Sequence, residues 1–120
     1  MLLPDTSVRL WLYTRATDMR KSFNGLSAMV KNILQENPLS GELFVFLNRR
    51  RTMMKLLYFD ASGYCIWMKK LEAGAFQLPE HHGDKVLLDR TRLTLILDGI
   101  DLQSIKKRKR FSLPKKDESV

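Results

Sequence analysis

This chain is short of what marks an enzyme, a secreted domain or a membrane protein. It holds one cysteine, Cys65, among 120 residues. An intrachain disulfide and a cysteine-built metal cluster are therefore both excluded. No run of about 18 apolar residues occurs, so no segment is expected to span a bilayer. The N-terminal stretch MLLPDTSVRLW lacks the basic start and apolar core of a signal peptide. The expectation is a soluble, cytoplasmic protein. Neither a glycine-rich phosphate loop nor a recognisable nucleophile motif is present. Acidic residues are also scarce, 13 against 21 basic ones, which leaves a formal net charge of +8.

That charge is what the chain has in excess, and it favours polyanionic partners through long-range attraction. It is unevenly spread. Lys106, Lys107, Arg108, Lys109 and Arg110 are consecutive, in a terminal stretch with little apolar periodicity. The reading is one domain over residues 1–103 followed by a disordered basic tail over 104–120. At 44 % apolar residues the body can fold, around a core that is thin at this size.

Hydrophobic periodicity predicts the elements. Residues 8–13 alternate with period two and read as a strand. Thr17 or Asp18 caps a helix in which Met19, Phe23, Leu26, Met29, Val30, Ile33 and Leu34 form one apolar stripe, stopped at Asn37-Pro38. Three strand-like runs follow at 43–47, 53–59 and 64–69. Their short links favour an antiparallel meander. The first of these is apolar on both faces, so it belongs in the middle of a sheet covered on both sides. A short edge strand is expected over 74–79 and another strand over 85–88. Asp89 then caps a second helix whose buried side is Leu93, Ile96, Leu97 and Ile100. The expected fold is α+β: an antiparallel sheet of four to six strands, one long helix packed on it, and a second helix near the C-terminus.

Arg49, Arg50 and Arg51 fall on the tip of a predicted hairpin. Three adjacent guanidinium groups there cannot all pair locally, and their planar forks suit phosphate and guanine edges. With Lys55, Lys69 and Lys70 they are expected to make a continuous basic face for nucleic acid. The bland alternative is solvated turn charge. The run from Lys106 to Arg110 would add affinity by counterion release; without an amphipathic apolar face it does not point to a membrane. Arg20 and Lys21, at the start of the first helix, suit DNA or an acidic protein surface, although Asp18 can pair with either. Trp11, Tyr13 and Trp67 offer an exposed aromatic set, a sticky patch for a protein adaptor or stacking platforms for RNA.

Catalysis and metal binding have weaker support. His81-His82 lacks the spacing of a structural zinc site, which needs four ligands. Asp60, Glu72, Asp98 and Asp101 are the acids at element ends that a two-metal strand-transfer centre would require, yet Asp60 is explained by its turn, and a chain this short does not hold a nuclease fold. No enzyme activity, metal, cofactor or small-molecule substrate is expected.

One combination of motifs goes further. Thr17-Asp18-Met19-Arg20-Lys21 with Phe23, Gly25 and Leu26 is followed by Ser40-Gly41 with Leu43-Phe44-Val45-Phe46. Then come Arg49-Arg50, Lys55, Asp60 and Gly63, Lys70-Leu71-Glu72 with Gly74 and Phe76, and Leu97 with Gly99-Ile100. In this order and spacing the set resembles the small accessory TnpB family of bacterial insertion sequences, the non-nuclease TnpB and not the RNA-guided nuclease of the same name. The likeness covers about residues 8 to 102. Ser22 stands where that family often has glycine, and Tyr58-Phe59 where tryptophan is common. The resemblance implies a role in moving an insertion sequence whose transposase is a separate, larger protein carrying the acidic catalytic centre. It transfers no catalytic residues. The partners it implies are DNA, at the transposon ends, and that transposase.

Overall fold

A computed structural model describes residues 8–98. The expected tail, including Lys106, Lys107, Arg108, Lys109 and Arg110, lies outside the described residues, as do Gly99, Ile100 and Asp101. Five strands form one sheet, β1 (Leu10–Ala16), β2 (Leu43–Leu47), β3 (Met53–Asp60), β4 (Gly63–Lys70) and β5 (Lys85–Leu88), in the order β4-β3-β2-β1-β5. Helix α1 (Phe23–Met29) runs on into a π-helical stretch, Val30–Leu34, between β1 and β2, and α2 (Arg90–Asp98) follows β5. Among the described residues no helix is long and apolar enough to cross a membrane.

The expected meander is real for β2, β3 and β4, which pair antiparallel across short links. The sheet is nevertheless mixed, because β1 pairs parallel with β2. Between those two strands the chain crosses over through α1, and a strand that returns from a crossover on one face lies parallel to its starting strand. Strand β2 is central, and all five of its residues are buried. Phe44 and Phe46 pack with Tyr13, Leu57, the α1 residues Leu26 and Met29, and Val30 and Leu34 of the π-helical stretch. On the other face Leu43, Val45 and Leu47 pack with Leu10, Leu12, Met54, Leu56, Phe76 and the α2 residues Leu93 and Ile96. Each such fully buried side chain contributes about 1.5–3 kcal/mol.

Three expectations about boundaries are corrected. The first helix starts later than Thr17 or Asp18. Asp18 spends its carboxylate on the Arg20 N–H at 2.9 Å, and Thr17 still donates its N–H to the Leu47 carbonyl at 2.8 Å. Residue Ser22 therefore opens α1, without a side-chain cap, and the long helix is shorter than expected. It ends at Leu34 because Gln35 turns left-handed, at φ 57°; Asn37 makes the following turn by accepting the Leu39 N–H. Phe23 and Ile33, placed on the buried stripe by spacing, are 44 % and 49 % exposed. Residues 74–79 form no strand. Instead Phe76 plugs the α2 face of the core, and its N–H donates to the Arg51 carbonyl at 2.7 Å. Asp89 does cap α2, accepting the Arg92 N–H at 2.7 Å.

Candidate nucleic-acid interface

The turn between β2 and β3 is built around Asn48. Its side-chain oxygen accepts the N–H groups of Thr52 at 2.8 Å and Met53 at 3.0 Å, and its amide donates to the Thr52 hydroxyl at 3.1 Å. The Asn48 carbonyl accepts the Arg51 N–H at 3.0 Å. Arg51 itself is left-handed, at φ 59°, a conformation that costs a residue with a Cβ. The turn is clamped from behind by the Phe76 N–H on the Arg51 carbonyl and the Leu71 N–H on the Thr52 carbonyl. The result is a pinned tip carrying Arg49, Arg50 and Arg51, all exposed. None of the three has a carboxylate partner among the described residues.

The lysines expected beside them divide. Lys70 is exposed and pairs across the ladder with Met53, the first residue after the turn, so it stands at the same end of the sheet. Lys55 does not face solvent as a phosphate ligand would: its ammonium donates to the carbonyls of Met19 at 2.8 Å and Lys21 at 2.7 Å. Lys69 donates to the Leu97 carbonyl at 2.8 Å, in the last described turn of α2, where a cation complements the helix dipole. These two lysines are on opposite faces of the sheet, tying down the chain that leads into α1 and the end of α2. Positive charge thus gathers at one end of the sheet instead of spreading over a face.

Arg20 is also occupied. Its guanidinium and N–H embrace the Asp18 carboxylate, with Nη2 to Oδ2 at 2.7 Å. Those hydrogen bonds hold the Asp18 carboxyl down at about 2, and the carboxylate in turn raises the Arg20 guanidinium. Lys21 keeps an exposed side chain, and its Cβ is what an added Cβ on Gly25 would meet, at 3.2 Å. The crowding at Gly25 comes from this lysine.

The aromatic set is not an exposed patch. Tyr13 is buried, Trp11 packs on the α1 face, and Trp67 packs on the opposite one. Trp11 donates its indole N–H to Glu42 at 3.1 Å, and the cations of Arg9 and Lys85 are 5.5 and 4.7 Å from its ring. His81 and His82 are exposed, with His81 Nδ1 against the Pro79 carbonyl. Among the described residues no three of His, Cys, Asp and Glu come together as metal ligands.

Sequence reasoning missed Arg15. Alternation stops at Tyr13, but β1 continues to Ala16 because polar residues there are held by backbone bonds, the Thr14 N–H to the Asp84 carbonyl at 2.8 Å and the Thr17 N–H to Leu47. Arg15 is exposed at the strand end. A cavity of about 240 Å³ brings it together with Arg49 and Arg51.

The chain matches the model of the family described as IS66 Orf2 like protein over residues 8–107, which includes every described element. It belongs to the IS66 Orf2-like family. This is an accessory-protein family of an insertion sequence, in agreement with the resemblance read from the motifs. Two relatives come from Sinorhizobium fredii (strain NBRC 101917 / NGR234). The uncharacterized protein y4hO is 38 % identical over 101 residues, 84 % of this chain and 88 % of that one. The uncharacterized protein y4jC is 30 % identical over 108 residues, 90 % of this chain and 92 % of that one. No solved structure matches significantly.

Proposed function

We propose that this protein is a non-catalytic accessory factor for transposition, acting in the cytoplasm beside the separately encoded transposase, and that it holds DNA by the sheet end that carries the β2–β3 turn. The observation that carries the reading is the set Arg49, Arg50 and Arg51 on a hydrogen-bonded turn, without a carboxylate partner among the described residues. A rigid turn presents its cations at little entropic cost, and arginine forks match phosphate oxygens in pairs. Lys70 adds charge at the same end. The run Lys106, Lys107, Arg108, Lys109 and Arg110 strengthens the contact by counterion release. Arg20 is committed to Asp18, while Lys21 remains available to DNA or to the transposase.

The test is binding of the full chain to a duplex carrying the element's terminal repeat and to a scrambled duplex, across a salt series. A variant with Arg49, Arg50 and Arg51 all changed to glutamate serves as the control. Binding with a steep salt slope, lost in that variant, is the expected result. A preference for the terminal repeat would identify the protein as the subunit that recognises transposon ends; equal binding would leave specificity to the transposase. No binding at physiological salt would end the DNA reading in favour of a protein adaptor.

A further inference from the structure

We propose that Arg15, Arg49 and Arg51 form a pocket for one backbone phosphate of DNA, at the point where β1 and β2 part. This rests on the DNA reading above and adds to it a residue outside the basic runs. The cavity of about 240 Å³ is bordered by Thr14, Arg15, Asn48, Arg49 and Arg51, among others. It opens because the parallel ladder slips: from the Leu12–Val45 pair to the Ala16–Leu47 pair, β1 advances four positions and β2 only two. The extra length bulges out and brings Arg15 to the turn that carries Arg49. Bulges of this kind re-aim side chains at sheet ends.

Three arginines around one small cavity repel one another, and no acidic side chain is part of its lining; Asp84 stands only at the rim, beside Arg15. An anion with several oxygens turns that arrangement from unfavourable to favourable, and guanidinium forks fit phosphate oxygens two at a time. The walls are already set. Asn48 and the Phe76 N–H pin the turn on one side, and the bonds of Thr14 to Asp84 and Gly83 pin the strand on the other. The nearest acid to Arg15 is Asp84, whose Oδ1 is 3.4 Å from Nη1, with both side chains largely exposed. That is long for a charge-assisted bond, so a phosphate displaces it. Because the Asp84 carbonyl is tied to Thr14, its carboxylate stays at the rim as a competitor. A phosphodiester is favoured over an acidic protein side chain because Arg50 and Lys70, exposed at the same end of the sheet, suit the neighbouring charges of a repeating polyanion.

The experiment titrates a short labelled duplex into the full chain, the variants R15A, R15K, R49A, R50A and D84N, and the doubles R15A/R49A and R15A/R50A, across a salt series. R15A is expected to weaken binding about tenfold and to lower the salt slope by about 0.9, the signature of one phosphate contact. R15K is expected to recover part of the affinity. The R15A/R49A pair is expected to be strongly non-additive, because both arginines hold one phosphate. The R15A/R50A pair is expected to add, because Arg50 does not border the cavity. D84N keeps all three arginines and is expected to tighten binding; it carries the test should R15A disturb the fold. Unchanged affinity and slope in both R15A and D84N, with binding still lost on triple reversal of the turn arginines, would overturn the pocket and leave the DNA reading intact. Wild-type protein that binds no DNA, or binds single-stranded RNA of the same sequence more tightly, would overturn both.

Discussion

The ammonium of Lys55 donates to the carbonyl of Met19 at 2.8 Å, joining the middle of β3 to the chain that leads into α1. A second bond, to the Lys21 carbonyl at 2.7 Å, completes the tie. Hydrogen bonds from charged groups contribute about 1.5–3 kcal/mol. Lys55→Met is therefore expected to lower the unfolding free energy by about 2 kcal/mol, measured in a urea titration. The salt slope of DNA binding should not move. A change in slope with unaltered stability would return Lys55 to the interface.

Arg51 and Ala61 both hold left-handed backbones, at φ 59° and 47°. Glycine relieves that conformation, so Arg51→Gly and Ala61→Gly are each expected to gain about 1 kcal/mol of stability. Only Arg51→Gly should weaken DNA. Thermal melts and binding isotherms on the same two proteins separate the effects. Equal affinities would show that the left-handed arginine is tolerated for no binding purpose.

Lys85 holds the end of the α1 segment from the far edge of the sheet. It donates to the Leu34 carbonyl at 2.7 Å, pairs with Glu36 and covers the ring of Trp11. Replacing it with methionine leaves Glu36, whose side chain is 17 % exposed, without its cation. A loss of about 2–3 kcal/mol is expected. Amide exchange should accelerate first at Val30–Leu34; uniform acceleration across the sheet would contradict this local role.

The Asp18–Arg20 pair gives a pH signature. The folded carboxyl titrates at about 2 against an ordinary 3.8, mainly through the Arg20 side-chain bonds. A depressed carboxyl adds stability that is present above its unfolded pKa and is lost as pH falls through the folded one, here between about 4 and 2. The pair is exposed, so its effect on unfolding is slight. Carbon-detected NMR titration should place the Asp18 midpoint near 2 and return it to about 3.8 in Arg20→Ala. An unmoved midpoint in that variant would remove the guanidinium as the cause.

Much of this fold was legible because local chemistry and tertiary environment agree. The run Leu43–Leu47 reads as a strand apolar on both faces, and it is the buried central strand. Asp89 reads as a cap and is one. The turn arginines read as projecting charges and are exposed. Legibility failed where a side chain's partner is distant in sequence. Lys55 and Lys69 look like surface cations until the segment before α1 and the end of α2 arrive to supply carbonyls. Trp11 looks like a patch until Glu42 and Lys85 close on it.

The sequence by itself determined the class of elements, the two-sided apolar strand, the excess of positive charge and the membership of an insertion-sequence family. Hydrophobic period, turn residues and charge are properties of neighbours along the chain. Only the tertiary structure decided that β1 runs parallel to β2, that two of the candidate lysines are structural ties, and that Arg15 shares a cavity with Arg49 and Arg51. Between them these depend on the crossover through α1, on where α2 packs, and on a slip in one ladder. Such long-range pairings are set by how both faces of the sheet are buried at once, and no local window of residues contains that information.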